Sequence, residues 1–435
     1  MPTSPSRSAV RRFDLFASTA PGLESIAAGE LKALGVKGRQ EVGGVAFNGD
    51  LDRIYQANLW LRTASRVLVR MARFHASTFY ELERRSKKIP WADFLPETGL
   101  VGVRVTCRKS RLYHSDAVAE RVLGVIAQVA PGVNLQIVAS SQEDGGNEEA
   151  DGHAAGKAVP NGGATDRSQS FIVRIVHDEC EISADSSGEL LHRRGYRQEV
   201  VKAPLRETLA AAMILASGWK RREPLLDPMC GSGTIPIEAA LIARGVAPGL
   251  QRNFQFMNWP GFEAPLWNDI LDQARSVATN VDVDIRGTDR DDGAIHAATR
   301  NAERAGVADV VRFSAKALSN SLAELENVPE QAGWILSNPP YGVRVGETAE
   351  LRNLYARLGT ALKSRSGWRL GLLTADLALA RQTGIALRSR FSTSNGGIPV
   401  SFLVSDKGSK IPTNKLRNAE LRRAAAGVRG VEGES

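Results

Sequence analysis

The tetrapeptide Asn338-Pro339-Pro340-Tyr341 closes a short apolar run, WILS, that reads as a buried strand. Its residue types suit one kind of chemistry. An aryl-type amine has a delocalised lone pair and is a poor nucleophile, so it attacks a methyl group only when that lone pair is held on line. An Asn side-chain oxygen and a main-chain carbonyl left free beside a proline supply two acceptors for the amine's two hydrogens. The prolines stiffen the backbone and bring no N–H donor. Tyr341 offers a face on which a flipped-out base can stack. No strong base is required, because orientation and stabilisation of the nitrogen as it becomes cationic can supply the rate. Taken alone, the same four residues also read as a proline-rich turn after a strand.

Two further strand ends narrow the choice. Asp227-Pro228-Met229-Cys230-Gly231-Ser232-Gly233-Thr234 joins the strand PLLDP to the helical TIPIEAALIAR. Gly231 and Gly233 permit positive φ and close approach of the backbone to a ligand. The Gly-Lys-Ser/Thr ending of a Walker loop is absent, and a dinucleotide fingerprint would need glycine where Pro236 stands. Asp227, entering the loop, suits a cationic sulfonium amino acid better than a pyrophosphate. S-adenosylmethionine is therefore the expected cofactor, held by Asp227, Met229, Cys230, Gly231, Ser232, Gly233 and Asn338; a plain tight turn is the other reading. Asp289 ends IRGTD, where a carboxylate can accept both ribose hydroxyls. Asp291 or Asp292 is expected to cap the following helix, which leaves Asp289 to the ligand.

These residues need a frame. From 204 to 406 the strands PLLDP, VDIRGTD, VVRFSA, WILSNPP and WRLGLLTAD alternate with helical stretches, the pattern of a parallel, doubly wound sheet. FSTSNGG and IPVSFLVSD then form an antiparallel hairpin, the methyltransferase variant of that architecture. Residues 13–65 read as a small α+β domain, with Asp50 as a helix cap. Residues 66–190 read as a second, closed by the hairpin in SFIVRIVHDECEISADSS. Residues 140–170 nearly lack bulky apolar side chains and are expected to be a disordered insertion. A disordered start at 1–12, a linker at 191–203 and a basic tail at 407–435 complete the division.

The 435 residues exceed what one core organises, and 43% hydrophobic content suffices for globular cores. A net charge of +8 leans weakly toward a polyanionic partner. Three cysteines with no C-x-x-C pair speak against a disulfide framework or a metal site. No apolar run approaches the ~18 residues that span a bilayer. A soluble cytoplasmic protein, with no metal and no membrane partner, is expected.

DPMCGSGT, GTD and NPPY, in that order, resemble the amino-directed class I methyltransferases. LLHRRGYRQEVVKAPLRETLAAAMIL and CRKSRLYHSDAVAERV narrow the match. From about Phe13 to Asp406 the chain is similar to the THUMP-domain guanine-N2 RNA methyltransferases, and most closely to the bacterial 23S rRNA enzymes. The resemblance implies an α/β chain in which a Rossmann-like class I methyltransferase domain follows α+β ferredoxin-like (13–65) and THUMP RNA-binding (66–190) domains. It implies S-adenosylmethionine as cofactor, a guanine N2 amine held by Asn338 to Tyr341, and 23S rRNA or a large-subunit precursor as partner. A tRNA guanine-N2 enzyme and a non-catalytic RNA-binding assembly factor are the alternatives, with DNA adenine or protein glutamine methylation behind them. Ala315-Lys316-Ala317 departs from the acidic residue that many relatives place after the third strand, and a second C-terminal methyltransferase domain is expected to be absent. Arg108, Lys109, Arg111 and His114, and in the linker Arg193, Arg194 and Arg197, are candidate phosphate contacts. The aromatic stretch Phe254 to Trp267 is expected to pack over the sheet edge.

Overall fold

The computed structural model describes residues 11–132, 134–135, 168–199, 205–324, 332–341, 348–365 and 367–406. The basic tail, most of the short N-terminal segment, and all but the last three residues of the expected insertion lie outside them. Those last residues already enter a strand that begins at Gln169.

The first half of the chain makes one sheet. Its strands are β1 (Phe13–Thr19), β2 (Arg39–Glu41), β3 (Gly44–Gly49), β4 (Ala64–His75), β5 (Leu100–Arg108), β6 (Asn134–Leu135), β7 (Gln169–Val176) and β8 (Glu179–Asp185), in the order β2-β3-β1-β4-β8-β7-β5-β6. The helices α1 (Glu24–Ala33), α2 (Leu51–Trp60), α3 (Phe79–Ser86) and α4 (Ser115–Val129) bury apolar stripes against it. Asp50 caps α2 by accepting from the Arg53 N–H at 3.2 Å. The helical pattern of α3 stops before Pro90, which cannot donate to a continuing helix, and one 3-10 turn follows at Trp91–Asp93. The boundary expected between residues 65 and 66 falls inside β4, which pairs with β1 on one edge and β8 on the other. The two N-terminal units thus share a strand.

The second half holds β9 (Leu225–Asp227), β10 (Ile285–Asp289), β11 (Val311–Ala315), β12 (Trp334–Ser337), β13 (Arg369–Thr374), β14 (Leu387–Asn395) and β15 (Ile398–Ser405), ordered β11-β10-β9-β12-β13-β15-β14. Strands β9 to β13 are parallel, and β15 runs antiparallel to both β13 and β14. The helices are α5 (Glu207–Ser217), α6 (Thr234–Arg244), α7 (Ala264–Val277), α8 (Asp292–Arg304), α9 (Leu318–Ala323), α10 (Thr348–Lys363) and α11 (Leu377–Gln382). Strand order reverses between β9 and β12, which carry the glycine loop and the NPPY segment at their carboxyl ends. Such a reversal opens a crevice for ligands.

Two contacts lock the halves together. The aromatic stretch does pack, but into the core of the N-terminal half rather than over the edge of the catalytic sheet. The rings of Tyr55 on α2 and Phe256 stack at 4.4 Å, Trp267 meets Tyr55 edge-on at 5.9 Å, and Trp259 meets Phe94 edge-on at 5.0 Å. Trp259 Nε1 also donates to Gln169 Oε1 at 2.7 Å, and the Glu263 N–H donates to the Tyr55 hydroxyl at 3.0 Å. The second contact is ionic. Glu238 of α6 is fully buried, with Arg194 Nε at 3.5 Å, Arg62 Nη1 at 3.9 Å, and the Tyr196 hydroxyl donating to it at 3.1 Å. Burial pulls the Arg62 guanidinium down to about 10, against the charge of Glu238 that pulls it back up.

A buried carboxylate facing two buried guanidiniums costs most when one sign is removed, because the remainder is left uncompensated. Glu238→Ala should therefore destabilise the protein by about 3–5 kcal/mol in denaturant unfolding. An unfolding midpoint equal to that of the unmodified protein would show that the joint carries no such charge balance.

Candidate active site

The glycine loop leaves β9 at Asp227 and enters α6 at Thr234. Gly231 and Gly233 take φ of 52° and 84°. A Cβ on Gly233 would lie 2.9 Å from Phe313 Cζ and 3.0 Å from Ala298 Cβ, so the loop lies close over β11 and α8. The loop is held at several points: the Cys230 N–H donates to the Thr288 carbonyl at 2.9 Å, and the Ser232 carbonyl accepts from Asn301 Nδ2 at 3.2 Å. The side chains of Cys230 and Ser232 are both buried. The Cys230 sulfur packs against Gly287, where a Cβ would come within 3.1 Å of it, and burial pushes its thiol well above the ordinary range. Met229 is partly buried against the core under α10. The loop therefore offers a ligand mainly backbone.

Asp289 stands at the end of β10, half-exposed, and both of its oxygens already bind the site's own backbone. Oδ2 accepts from the Gly231 N–H and Oδ1 from the Asp291 N–H, each at 3.0 Å. Asp291 caps α8 through the Gly293 N–H at 2.8 Å, as the pattern suggests. Asp289 thus braces the glycine loop as well as facing the crevice, a role that the sequence did not show.

Asp227 lies deeper than expected. It is 2% exposed, and its Oδ1 accepts from the Ser337 hydroxyl at 2.7 Å and from the Met229 N–H at 3.2 Å. Burial pushes its carboxyl up to about 7; the two hydrogen bonds pull it down, and the nearby charge of Asp289 pushes it further up. Ser337 immediately precedes the NPPY segment, so this bond joins the two halves of the site across the strand reversal. A serine at a strand end is common and its partner lies 110 positions away, so no signal in the sequence singles Ser337 out.

In the NPPY segment Pro339 is buried and Pro340 exposed. Asn338 Oδ1 is buried and has no hydrogen-bond partner among the described residues. A buried amide oxygen left unpaired is costly, and at a strand end facing a crevice it marks an acceptor awaiting a donor. Tyr341 is half-buried, and its hydroxyl accepts from Asn395 Nδ2 at 2.9 Å. The ring therefore stands against the β14–β15 hairpin. The left-handed glycines, the half-exposed Asp289 and the orphaned Asn338 oxygen fit a nucleoside cofactor and an amine donor side by side.

The candidate phosphate contacts separate into two groups. Arg108, Lys109, Arg111 and His114 share one exposed turn between β5 and α4. Asp178 pins the turn by accepting from the Arg111 N–H at 2.7 Å, while its own N–H donates to Ser110 Oγ at 3.0 Å. The exposed Tyr113 ring lies 4.0 Å from that of His114. The linker group is brought to a different use. Arg194 is buried, donating to the Leu191 and Arg62 carbonyls at 2.5 Å besides facing Glu238. Arg197 reaches the buried Glu207 at 3.0 Å. Both guanidiniums are turned into the domain joint and away from any phosphate, a correction to the expectation for these two residues. Arg193 alone of the three stays exposed, 3.6 Å from Glu189.

Comparison with known proteins gives this geometry its relatives. Residues 194–399 match the model of the RMKL-like methyltransferase domain, and residues 14–68 that of the RlmL ferredoxin-like domain. Synechocystis sp. slr0064, provisionally named an RNA methyltransferase, is 34% identical over 93% of this chain and 99% of its own length. The ribosomal RNA large subunit methyltransferase K/L of Syntrophotalea carbinolica is 36% identical over 90% of this chain, which spans about half (53%) of that longer protein. Among solved structures, the SMU.472 methyltransferase, complexed with SAH, superposes with a TM-score of 0.78 at 29% identity, covering 92% of this chain and 99% of that one. A Listeria monocytogenes protein, described as a predicted N6-adenine-specific DNA methylase, gives 0.77 at 30% identity, covering 93% and 100%. With glycine loop, the Asp289 carboxylate and NPPY segment set around one strand reversal, and a relative matched over almost its whole length, the chain belongs to the RlmK/L-like family of S-adenosylmethionine-dependent methyltransferases.

Proposed function

We propose that this chain methylates the exocyclic N2 amine of a guanine in RNA, with 23S rRNA or a large-subunit precursor as the substrate. The observation that carries the reading is the buried Asn338 Oδ1, unpaired among the described residues, at the carboxyl end of β12, one strand from the glycine loop. Bound S-adenosylmethionine supplies an electrophilic methyl on a cationic sulfur. The protein's part is orientation. Asn338 Oδ1 and a carbonyl beside the prolines accept the amine's two hydrogens, which turns the lone pair toward the methyl. The Tyr341 ring holds the base face. The exposed turn at residues 108–114 grips backbone phosphates, and the names of the relatives favour RNA over DNA as the polymer. The adenine-directed description of one structural neighbour makes the identity of the methylated base the critical readout.

Asn338→Ala should lower the single-turnover methylation rate, measured at saturating cofactor, by roughly two orders of magnitude, the scale of losing one preorganised partner, with a much smaller loss of cofactor affinity. Nucleoside mass spectrometry of the wild-type product should give N2-methylguanosine and no N6-methyladenosine. A wild-type rate in the variant, or methylation elsewhere than guanine N2, sinks the proposal.

Replacing Arg108, Lys109 and Arg111 together with Ala should weaken RNA binding and flatten its salt dependence. The slope of log K against log salt should fall by about 0.7–0.9 for each phosphate that the variant leaves unneutralised. An unchanged slope would place the RNA on another face.

Asp227 gives the cofactor site a pH dependence with a definite sign. Its carboxyl, held at about 7, is mostly neutral at pH 6 and mostly ionised at pH 7.5. A cationic ligand favours the ionised form, so adenosylmethionine affinity should rise roughly five- to tenfold across that interval. Calorimetry should show this rise in the unmodified protein and its loss in Asp227→Asn. A flat profile for both would detach Asp227 from the ligand's charge.

A further inference from the structure

The β14–β15 hairpin overhangs the site. Its pairing with β13 ends at Thr374↔Ser401, but β14 and β15 stay paired to Asn395↔Ile398, three residues further on. That projects the hairpin about 10 Å beyond the carboxyl end of the parallel strands, at ~3.4 Å per residue. Gly396 and Gly397 close it with φ of 54° and 79°, as a two-residue turn with both central residues left-handed requires. Asn395, at the tip, donates from Nδ2 to the Tyr341 hydroxyl, and its Oδ1 is buried with no hydrogen-bond partner among the described residues. The position keeps a half-satisfied amide where an apolar side chain would leave nothing unpaired. Folding stability alone does not account for that choice.

The hairpin is also backed from the N-terminal half. A Cβ on Gly22, in the turn between β1 and α1, would lie 2.0 Å from the Ser392 carbonyl oxygen, so this turn sits directly on β14. Leu23, the next residue, is buried in the core of the catalytic half. The root of the overhanging hairpin is thus backed by the same half that carries the exposed basic turn.

We propose that Asn395 is a positioning residue, which fixes the plane of the Tyr341 ring and so the pose of the base stacked on it. This rests on the reading of Asn338 to Tyr341 as the amine-holding segment. The ring is anchored at its base by the stiff Pro339-Pro340 backbone and at its far end by the Asn395 amide. The ring also packs against the core of the catalytic half; the tie at its hydroxyl adds to that packing and narrows the range of ring planes that binding would otherwise have to order.

The test is a double-mutant cycle of Asn395→Ala with Tyr341→Phe in the full-length protein, with an rRNA transcript as substrate. Asn395→Ala should raise the half-saturating RNA concentration about five- to tenfold, the effect of removing one hydrogen bond, with little change in the saturated single-turnover rate and none in adenosylmethionine affinity. Asn395→Asp, which can accept from the tyrosine hydroxyl, should restore most of the loss. In the Tyr341→Phe background, which lacks the hydroxyl, Asn395→Ala should add nothing. Full additivity of the two changes, or a wild-type profile for Asn395→Ala, would overturn the proposal. Asn338→Ala in the same assay separates the two levels. If it abolishes methylation while Asn395→Ala is silent, only the positioning role fails. If it too is silent, the reading of the segment fails with it.

Discussion

The hydrogen bond from Ser337 to Asp227 spans the one place in the catalytic sheet where the chain does not close over itself. To one side of β9 lie β10 and β11; to the other lie β12 and β13. The crossover helices leave this midline in opposite directions, which is how such a sheet opens a crevice. The bond makes a floor for that space. Because Asp227 is buried, its acceptor oxygen has few substitutes for the serine hydroxyl and the Met229 N–H. Asn338 begins one residue beyond a pinned point, and the glycine loop begins one residue beyond the other. The pairing of β9 with β12 sets the spacing of the two segments, and this bond extends it past the last paired residues to the strand ends.

The loop's other end is set by the domain joint. Glu238 stands four residues after Thr234, one helical turn into the helix that opens from Gly233. Whatever tilts α6 at Glu238 also moves the loop. The N-terminal half supplies one guanidinium to that carboxylate through Arg62, and the linker supplies the other through Arg194. Further along the linker, the Glu199 carbonyl accepts from Asn301 Nδ2, and that same amide group also holds the Ser232 carbonyl. Docking of the halves and shape of the loop are thus mechanically one problem. The stacked aromatics around Tyr55 and Phe256 add the apolar part of the same joint.

Most of the frame was legible because its elements are locally consistent. Strand-period runs and helix-period runs alternate with turn residues between them, and the hairpin at Gly396-Gly397 carries the two glycines that its turn demands. The three strand-end motifs were legible for a related reason, since each sits where a parallel strand ends, the place at which such a sheet opens a crevice. Facing and partnership were not legible. An aromatic run names neither the sheet nor the half on which it packs, and Tyr55 lies about 200 positions before its partner Phe256. The sharing of β4 was not legible for a similar reason: a strand that pairs with two units looks from within like any other strand.

The arginines make the point sharpest. Arg108 and Arg111 beside Lys109, and Arg193, Arg194 and Arg197, look equivalent as clusters of positive charge. What separates them is whether a carboxylate stands within reach in a space too small for water. At the linker, Glu238 and Glu207 are both buried, so the guanidiniums of Arg194 and Arg197 follow them inward. At the turn between β5 and α4, Asp178 commits an oxygen to the Arg111 backbone rather than its guanidinium, which leaves the side chain facing outward on an exposed turn. A net charge of +8 therefore says little about where a polyanion would lie. The position of each buried carboxylate says more, because it decides which positive charges remain at the surface to meet a phosphate.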